Sequence, residues 1–251
     1  MNKIFELLKQ GGIFEISPKI LGDKPMTKTE MVAIFNTLDA FWLYDGEPTS
    51  EKPHALLKSG LHSNGFISCN NVLKHPVLCK LFANEIVKLF EIEYPSEKVD
   101  VVVSSAYSAI NLGYEVARRL SKKFPEIEHI IVEKDYENNP TVIRGGIPAS
   151  KSVLVINELM TTGEGSTWQT KQAAAMFSHE PNKPGPKIID KSFVLVHRSK
   201  DYNLNDGSEV IATFHFDIED WNPEDCPYCK AGSKAIKPKI GNNWNIIHGR
   251  V

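Results

Sequence analysis

The stretch KSVLVINELMTTGEGS, residues 151–166, decides the fold class. Its first half is a short continuous apolar run, and its second half is a threonine- and glycine-rich turn that opens a helical pattern. Continuous apolar strands are typical of parallel sheets with both faces covered. In open sheets of this kind, ligands bind just past the carboxyl ends of the strands. The stretch therefore predicts a buried strand ending at Ile156, followed by a turn that binds a ligand.

The segments on both sides continue the alternation of strands and helices, which is typical of an α/β protein. We therefore predict a central parallel sheet flanked by helices. The predicted strands are 99–103, 130–132, 153–156, SFVLVH around Val194 and EVIATFHF around Ala212, and the predicted helices include 110–120, 166–177 and one that begins at Pro76.

The composition excludes several classes of protein. The chain has 251 residues, 29 basic and 31 acidic, so bulk charge does not favour nucleic-acid binding. No apolar run approaches the roughly 18 residues of a membrane span. Four cysteines are too few for a disulfide scaffold in a chain of this length. We expect a soluble protein of the reducing cytoplasm, with neither a nucleic-acid nor a membrane partner.

The turn after the strand has the chemistry of a phosphate site. Free backbone N–H groups, hydroxyls and the positive end of a helix dipole all favour an anion. The adjacent Asn157 and Glu158 suit the hydroxyl pair of a sugar. The alternative is an ordinary strand with a glycine-rich turn and an N-capping serine. The candidate phosphate ligands are Thr161, Thr162, Gly163, Gly165 and Ser166.

This arrangement resembles the ribose-5-phosphate loop of type I phosphoribosyltransferases, which use phosphoribosyl pyrophosphate (PRPP). Four further segments resemble the orotate branch of that family, and together the matches run in order from about residue 28 to 239. The implied divisions are an N-terminal extension (1–27), a smaller N-terminal hood (28–95), a PRPP-binding core (96–220) and an irregular tail (221–251). The four segments are 56–82 in the hood, VDVVVSSAYSAINLGYEVARRL (99–120), IIVEKD with VIRGG (130–135 and 142–146), and WNPEDCPYCKAGSKAIKP (221–238).

The resemblance implies a role for each matching residue. Asn157 and Glu158 would bind the ribose, and Phe66 and Trp168 would bind the base. The catalytic residues would be Lys134, Glu158 and Arg144, with a mobile loop (134–150) reaching the neighbouring subunit of a homodimer. Mg²⁺ would be held mainly by PRPP and water rather than by direct side-chain ligands. The pyrophosphate-binding set would be Lys58, Ser104, Ser105, Ala106, Tyr107, Ser108 and Ala109.

Three positions depart from the family pattern. Asn157 replaces one acidic residue, and Ser108-Ala109 stand where two glycines are usual. The arginine that binds orotate after the phosphate turn is missing, with Thr167 or Trp168 in that region. Three functions follow as alternatives. The first is an orotate-type phosphoribosyltransferase, and the second is a non-catalytic sensor or regulatory subunit that binds PRPP or a nucleotide. The third, a Rossmann-type cofactor enzyme, is disfavoured because no GxGxxG follows the first core strand.

The tail raises the question of zinc. Cys226 and Cys229 form a CxxC pair that Cys69 or Cys79 could complete, but the sequence has no second CxxC and no HxxxH. Because a closed zinc site needs four ligands, zinc is disfavoured and packed thiols are expected. His62 is open to two interpretations, a phosphate contact or a structural residue. The lysines 234, 237 and 239 are expected on a solvated surface.

Overall fold

A computed structural model describes residues 2–107, 109–134, 137, 140–142, 146–176 and 184–250. Within these residues a seven-stranded sheet forms the centre of the molecule, in the order β7-β6-β5-β8-β10-β11, with β9 pairing beside the start of β8. All its pairings are parallel except that of β7 with β6. The strands are β5 (Val101–Ser105), β6 (Glu128–Lys134), β7 (Pro140–Val142), β8 (Ser152–Met160), β9 (Lys187–Ile188), β10 (Ser192–His197) and β11 (Val210–His215).

Helices cover both faces of this sheet because its strands are apolar on both sides. Leu154 and Ile156 point into the larger core, which the N-terminal helices share. Val153 and Val155 point to the opposite face, where they pack against Ala173 of α7. Strand side chains alternate between faces, so the even-numbered residues of β8 named here face one core and the odd-numbered ones face the other. The helices are α1 (Lys3–Lys9), α2 (Pro18–Leu21), α3 (Lys28–Thr37), α4 (Cys69–Leu73), α5 (Pro76–Glu93), α6 (Ala109–Leu120) and α7 (Ser166–Met176), with a single 3₁₀ turn at Ile13–Glu15.

Two small sheets lie outside the central one. In one of them, strands from the N-terminal region pair with strands from the C-terminal region, in the order β12-β3-β2-β13. The tail is thus joined to the N-terminal region by backbone hydrogen bonds. The short elements are β1 (Phe41–Leu43), β2 (His54–Leu56), β3 (His62–Ser63), β4 (Gly65–Ile67), β12 (Asp220–Trp221), α8 (Pro227–Lys230), β13 (Ala235–Ile236) and α9 (Asn243–Ile247), with β1 pairing β4.

The predicted α/β fold with a central parallel sheet is confirmed, but two strand ends are corrected. β8 runs to Met160 rather than ending at Ile156, because its ladder with β10 continues to the pair His197–Met160. β5 spans 101–105 rather than 99–103, because Ser105 still pairs with Val132 of β6. As a result, Asn157, Glu158, Ser104 and Ser105 lie inside strands and not in the loops that follow them. The division of the chain into domains stays a prediction.

Candidate active site

A cavity of about 670 Å³ lies at the carboxyl end of β8, between the central sheet and the small sheet of β2 and β3. Thr161 and Thr162 of the predicted phosphate turn line it, as do Lys58 and Phe66 of the N-terminal region. These residues are about 100 positions apart in sequence. The structure therefore brings the predicted phosphate turn, one predicted pyrophosphate residue and one predicted base residue together in one cavity.

The phosphate turn runs from Thr161 to Gly165 and leads directly into α7, which begins at Ser166. It is packed against the backbone of residues 203–205, since Asn205 N donates to Gly163 O over 3.1 Å. A Cβ on Gly163 would lie 2.5 Å from the carbonyl oxygen of Asn203. Glycine is therefore required at this position by the close approach of two backbones. The N-terminus of an 11-residue helix faces the turn, which favours a bound anion.

Asn157 connects three parts of the site. It is fully buried. Its Nδ2 donates to Ser166 Oγ over 2.7 Å and to Thr167 Oγ1 over 2.9 Å. Its Oδ1 accepts from Ser105 Oγ and from the backbone N–H of Glu158, each over 2.9 Å. An amide has two donor and two acceptor positions, so all four are used within the protein. The geometry makes Asn157 a positioning residue, and its predicted contact with ribose stays untested.

Glu158 differs from Asn157 in that its side chain is not fully hydrogen-bonded. Its Oε2 is buried and lacks a hydrogen-bond partner among the described residues. Burial raises the pKa of the Glu158 carboxyl group, while its backbone contact and the nearby Lys239 ammonium act in the other direction. A buried acceptor without a partner is costly unless a ligand supplies the donor. Two hydroxyls of a sugar are suitable donors, as is a hydrated metal ion.

The predicted pyrophosphate-binding residues differ in burial and in their hydrogen-bond partners. Ser104 is buried, and its Oγ lies 2.8 Å from Nε2 of His129, on the side of α6. Ser105 donates to Asn157 as described above. Ala106 N still donates to Val132 O over 3.0 Å, and the side chain of Tyr107 is 88% exposed. The peptide bond between Ala106 and Tyr107 is cis. Ala109 is buried at the start of α6.

The wall of the cavity opposite the phosphate turn is aromatic and basic. Phe66 is half-buried there, and the ammonium of Lys239 lies over its ring. Lys58 and Lys237 also line the cavity. Lys237 and Lys239 are exposed, as expected of a solvated surface, and they also border the cavity. The tail brings them to the cavity because β13 pairs with β2 immediately before them.

Trp168 lies elsewhere. It packs against Met160, Val194, Leu204 and Val210, and it is not among the residues that line the cavity. Thr167, the other position considered for the missing arginine, is buried and bound to Asn157. The basic groups on this side of the cavity come instead from the hood and the tail.

One buried ion pair lies at the edge of the cavity. Arg198 donates to Asp220 and, over 3.1 Å, to Ser63 Oγ. Burial lowers the pKa of the Arg198 guanidinium and Asp220 raises it. Both residues line the cavity, and the pair joins β12 of the small sheet to the end of β10. Since Asp220 offsets Arg198, the charge of the described lining is set by its three lysines.

Several predicted residues fall outside what the structure describes. These are Ser108, Arg144 and the side chain of Lys134, whose backbone ends β6. Their predicted roles in pyrophosphate binding and catalysis stay predictions. The loop 134–150 is described only in part, so its closure over a site is likewise untested.

Sequence reasoning missed one group of side chains. His54, His62, Cys226 and Cys229 place their ligand atoms within 4.8 Å of one another. His62 was considered as a phosphate contact, but its Nδ1 lies toward Cys229 Sγ, 3.2 Å away. The signal for this group was weak, because the two histidines are separated by seven residues and belong to different strands. In the described part of the chain, none of the helices combines the length and apolar character that a membrane crossing requires.

A parallel sheet whose central strand leads into the predicted phosphate turn, facing a small sheet that supplies lysine and aromatic side chains, is the type I phosphoribosyltransferase fold. The structural comparison agrees on the fold. The crystal structure of orotate phosphoribosyltransferase from Aeropyrum pernix superposes with a TM-score of 0.53 and 16% sequence identity, over 74% of this chain and 93% of that one.

The sequence comparison is more specific. Orotate phosphoribosyltransferase from Pelotomaculum thermopropionicum is 32% identical over 216 residues, which cover 85% of this chain and 97% of that protein. The protein of the same name from Caldanaerobacter subterraneus subsp. tengcongensis is 28% identical over 215 residues, with the same coverage. No protein-family model matches the chain. On the sequence evidence, the chain belongs to the orotate phosphoribosyltransferase family.

Proposed function

We propose that this protein transfers the 5-phosphoribosyl group of PRPP to orotate, giving a nucleoside 5′-monophosphate and pyrophosphate. The observation that carries the proposal is the shared cavity. Thr161 and Thr162, at the phosphate turn, line the same space as Lys58 and Phe66. Its volume of about 670 Å³ lies within the range typical of small-molecule sites. Both homologues reported above are named for the same reaction.

The phosphate turn provides the first anchor. We assign the 5-phosphate to the backbone N–H groups of the turn and the hydroxyls of Thr161, Thr162 and Ser166. The turn is held by its packing against residues 203–205 and by the Asn157–Ser166 hydrogen bond. A preorganised anion site of this kind stabilises a phosphate without rearranging when it binds.

The basic wall supports an anionic base. Orotate carries a carboxylate, and the family arginine that would meet it is missing from the region after the turn. Lys58, Lys237 and Lys239 give the described lining an excess of positive charge on the side where Phe66 offers an aromatic face. We propose that these lysines replace the arginine in neutralising the carboxylate. An ammonium acts as a point charge rather than a planar bidentate donor, so recognition depends less on a fixed orientation.

The reaction displaces pyrophosphate from C1 of the ribose by a ring nitrogen of the base, through an oxocarbenium-like state. The protein acts mainly by holding the two substrates in line and by compensating charge. Glu158 would orient the ribose hydroxyls and place a negative charge beside the cationic sugar. Lys58 and, at the end of β6, Lys134 would compensate the charge of the leaving pyrophosphate.

Magnesium is the cofactor that we propose for PRPP. The residues present are compatible with it, since the partnerless Oε2 of Glu158 is a hard oxygen donor at the end of β8. Bound Mg²⁺ would neutralise pyrophosphate charge, with most of its ligands coming from PRPP and water. Asn157 cannot contribute in the described arrangement because its side chain is fully engaged within the protein.

We further propose that the chain works in the cytoplasm as a homodimer. The four cysteines are free thiols, which suits a reducing compartment. A partner subunit would supply the mobile loop predicted from the sequence.

A direct assay tests the proposed reaction. The full-length protein is incubated with PRPP, Mg²⁺ and one of three bases (orotate, uracil or adenine), and pyrophosphate release is followed. We expect release with orotate and little with the other two bases. Binding of PRPP in a calorimeter without release on any base would favour the sensor alternative. No binding of PRPP would overturn both.

A matched pair of variants localises the site. Lys58→Gln removes a charge from the cavity lining, whereas Lys234→Gln removes one from an exposed tail residue that does not line the cavity. We expect Lys58→Gln to lower kcat/KM by about 10–100-fold, the scale for loss of one electrostatic contact to a reacting group. Lys234→Gln should leave kcat/KM unchanged.

A further inference from the structure

A second cluster of chemically reactive side chains lies at the junction of the small sheet and the tail. His54 is on β2, His62 is on β3, Cys226 immediately precedes α8, and Cys229 lies within it. The two histidines and Cys226 are buried, and Cys229 is half-buried. The proposed transfer reaction uses none of the four.

Four distances within this cluster lie close to the edges of a tetrahedron around a metal ion. His54 Nε2 lies 3.0 Å from His62 Nδ1 and 3.5 Å from Cys226 Sγ. Cys229 Sγ lies 3.7 Å from the first of these nitrogens and 3.2 Å from the second. Zinc bonds of about 2.0–2.1 Å to nitrogen and about 2.3 Å to sulfur give tetrahedral edges of about 3.3–3.8 Å. These four distances lie within a few tenths of an ångström of such edges, and all four ligand atoms lie within 4.8 Å of one another.

The hydrogen bonds of His54 present the correct nitrogen to this centre. Ser233 Oγ donates its proton to Lys52 O over 2.6 Å, so it accepts from His54 Nδ1, which lies 2.8 Å away. Nδ1 therefore carries the proton, and the lone pair of Nε2 points toward His62, Cys226 and Cys229. Histidines that bind metal ions usually donate their other N–H to an oxygen in this way, which fixes the ring for binding.

We propose that His54 Nε2, His62 Nδ1, Cys226 Sγ and Cys229 Sγ bind one Zn²⁺ ion. Two thiolates and two imidazoles form a set that zinc prefers, and four protein ligands leave no position open for a substrate. The ion is therefore structural. The sequence argument against zinc considered the CxxC pair with Cys69 or Cys79 as a further ligand, whereas the fold adds two histidines from β2 and β3 to the pair.

The site has a consequence for the cavity. His54 begins the strand that leads to Lys58, and Cys229 lies in the segment that leads to Lys237 and Lys239. Zinc would therefore cross-link the segments that carry these lysines to the small sheet. Only short strands otherwise connect those segments to that sheet. Removal of zinc should loosen the wall and leave the central sheet intact.

Zinc content is the first test. The full chain, purified without chelators and desalted, is analysed for zinc by atomic spectroscopy. We expect about one zinc per chain, as a closed four-ligand site requires. The double variant Cys226→Ser/Cys229→Ser should lose it. The matched control Cys69→Ser/Cys79→Ser replaces two buried thiols outside the cluster and should retain zinc.

A second test uses the unaltered protein, so it does not depend on whether a variant folds. A thiol reagent is added with and without a zinc chelator, and the modified cysteines are identified by mass spectrometry. We expect Cys226 and Cys229 to react at least about tenfold faster after chelation, since zinc-bound thiolates are held in a closed site. Replacement with Co²⁺ should give the intense absorption of a tetrahedral cobalt–thiolate centre.

The opposite results are equally clear. If the wild-type chain retains no zinc after incubation with excess Zn²⁺, and both thiols react at the same rate with and without chelator, the proposal is overturned. The cluster is then a hydrogen-bonded histidine pair beside two free thiols. Neither outcome bears on the proposed transfer of the phosphoribosyl group, which has its own assay.

Discussion

The ammonium group of Lys239 lies over the ring of Phe66, with Nζ 5.5 Å from the ring centroid. Phe66 belongs to β4 of the N-terminal region and Lys239 belongs to the tail, so these two segments of the chain meet at the cavity. A cation at this distance is attracted by the electron-rich face of the ring. A planar anionic base that binds at Phe66 would therefore lie close to a positive charge.

Replacement of Lys239 by alanine is expected to weaken orotate more than PRPP. The KM for orotate should rise about tenfold, because one of the positive charges at the cavity that would face the carboxylate is lost. The KM for PRPP should change by less than about twofold. Initial rates at varied concentrations of each substrate measure both values. Lys234→Ala is the control, and equal increases in both KM values would contradict the assignment of Lys239 to the base.

Glu158 predicts the pH dependence of activity. Burial raises its pKa, and the carboxylate is the form that accepts hydrogen bonds from ribose hydroxyls. The value of kcat/KM should therefore fall as the pH is lowered through a pKa above that of an ordinary glutamate. Glu158→Gln should lack this acid limb and lose about 10–100-fold in kcat. A profile of kcat/KM against pH measures both, with the exposed Glu224→Gln as control.

The same raised pKa has a consequence for stability. A carboxyl group whose pKa is higher in the folded state contributes stability that is present below its unfolded pKa and is lost as the pH rises through the folded value. Glu158→Gln should therefore melt at a higher temperature than the wild type at neutral pH. The difference should shrink as the pH approaches about 4, the unfolded value for glutamate. A constant difference across this range would exclude a buried charge at Glu158.

The central features of the fold were predictable from local patterns. The helix that begins at Ser166 and the strand before it are signalled by periodicity and by a glycine-rich turn, which depend on neighbouring residues alone. The end of β8 was not predictable in this way, because its last residues are held by the ladder with β10, where Val194 pairs with Asn157. Such pairing joins segments that are far apart in sequence, and the local sequence of either strand does not indicate it.

The site shows the same division. Thr161 and Thr162 were placed correctly in a cavity because a turn at a strand end has a defined position in any parallel sheet. Lys239 borders the cavity and Trp168 does not, for a tertiary reason. The pairing of β13 with β2 brings the exposed lysine to the rim of the cavity, while the tryptophan packs against Leu204. The grouping of His54 with His62 was not predicted, because strands of two or three residues show no periodicity in the sequence.

Asn157 is expected to tolerate aspartate better than alanine. Aspartate can accept from the hydroxyls of Ser105, Ser166 and Thr167, whereas alanine leaves the buried hydroxyls of Ser105 and Thr167 without this partner. We expect Asn157→Ala to lower the free energy of unfolding by about 2–4 kcal/mol. Denaturant unfolding measures this.

Asn157→Asp has a second, electrostatic signature. A new negative charge beside Glu158 raises the pKa of Glu158 further, since like charges disfavour ionisation. The acid limb of kcat/KM should therefore move to higher pH in Asn157→Asp than in the wild type. Equal stability of the aspartate and alanine variants, with an unmoved acid limb, would show that the hydrogen bonds of Asn157 do not hold the turn.

The close packing of the phosphate turn predicts a contrast between its two glycines. A Cβ on Gly163 would lie 2.5 Å from Asn203 O, whereas one on Gly165 would meet its nearest neighbour, Thr162 Oγ1, at 3.4 Å. Gly163→Ala must therefore displace the turn or the backbone beneath it, at a cost of about 1–3 kcal/mol. Gly165→Ala should leave the melting temperature unchanged.

Because the displaced turn carries the N–H groups assigned to the 5-phosphate, Gly163→Ala should also raise the KM for PRPP about tenfold and leave the KM for orotate nearly constant. Thermal unfolding and initial rates on the two variants check the contrast. Wild-type values of both quantities for Gly163→Ala would mean that the turn does not rest on residues 203–205.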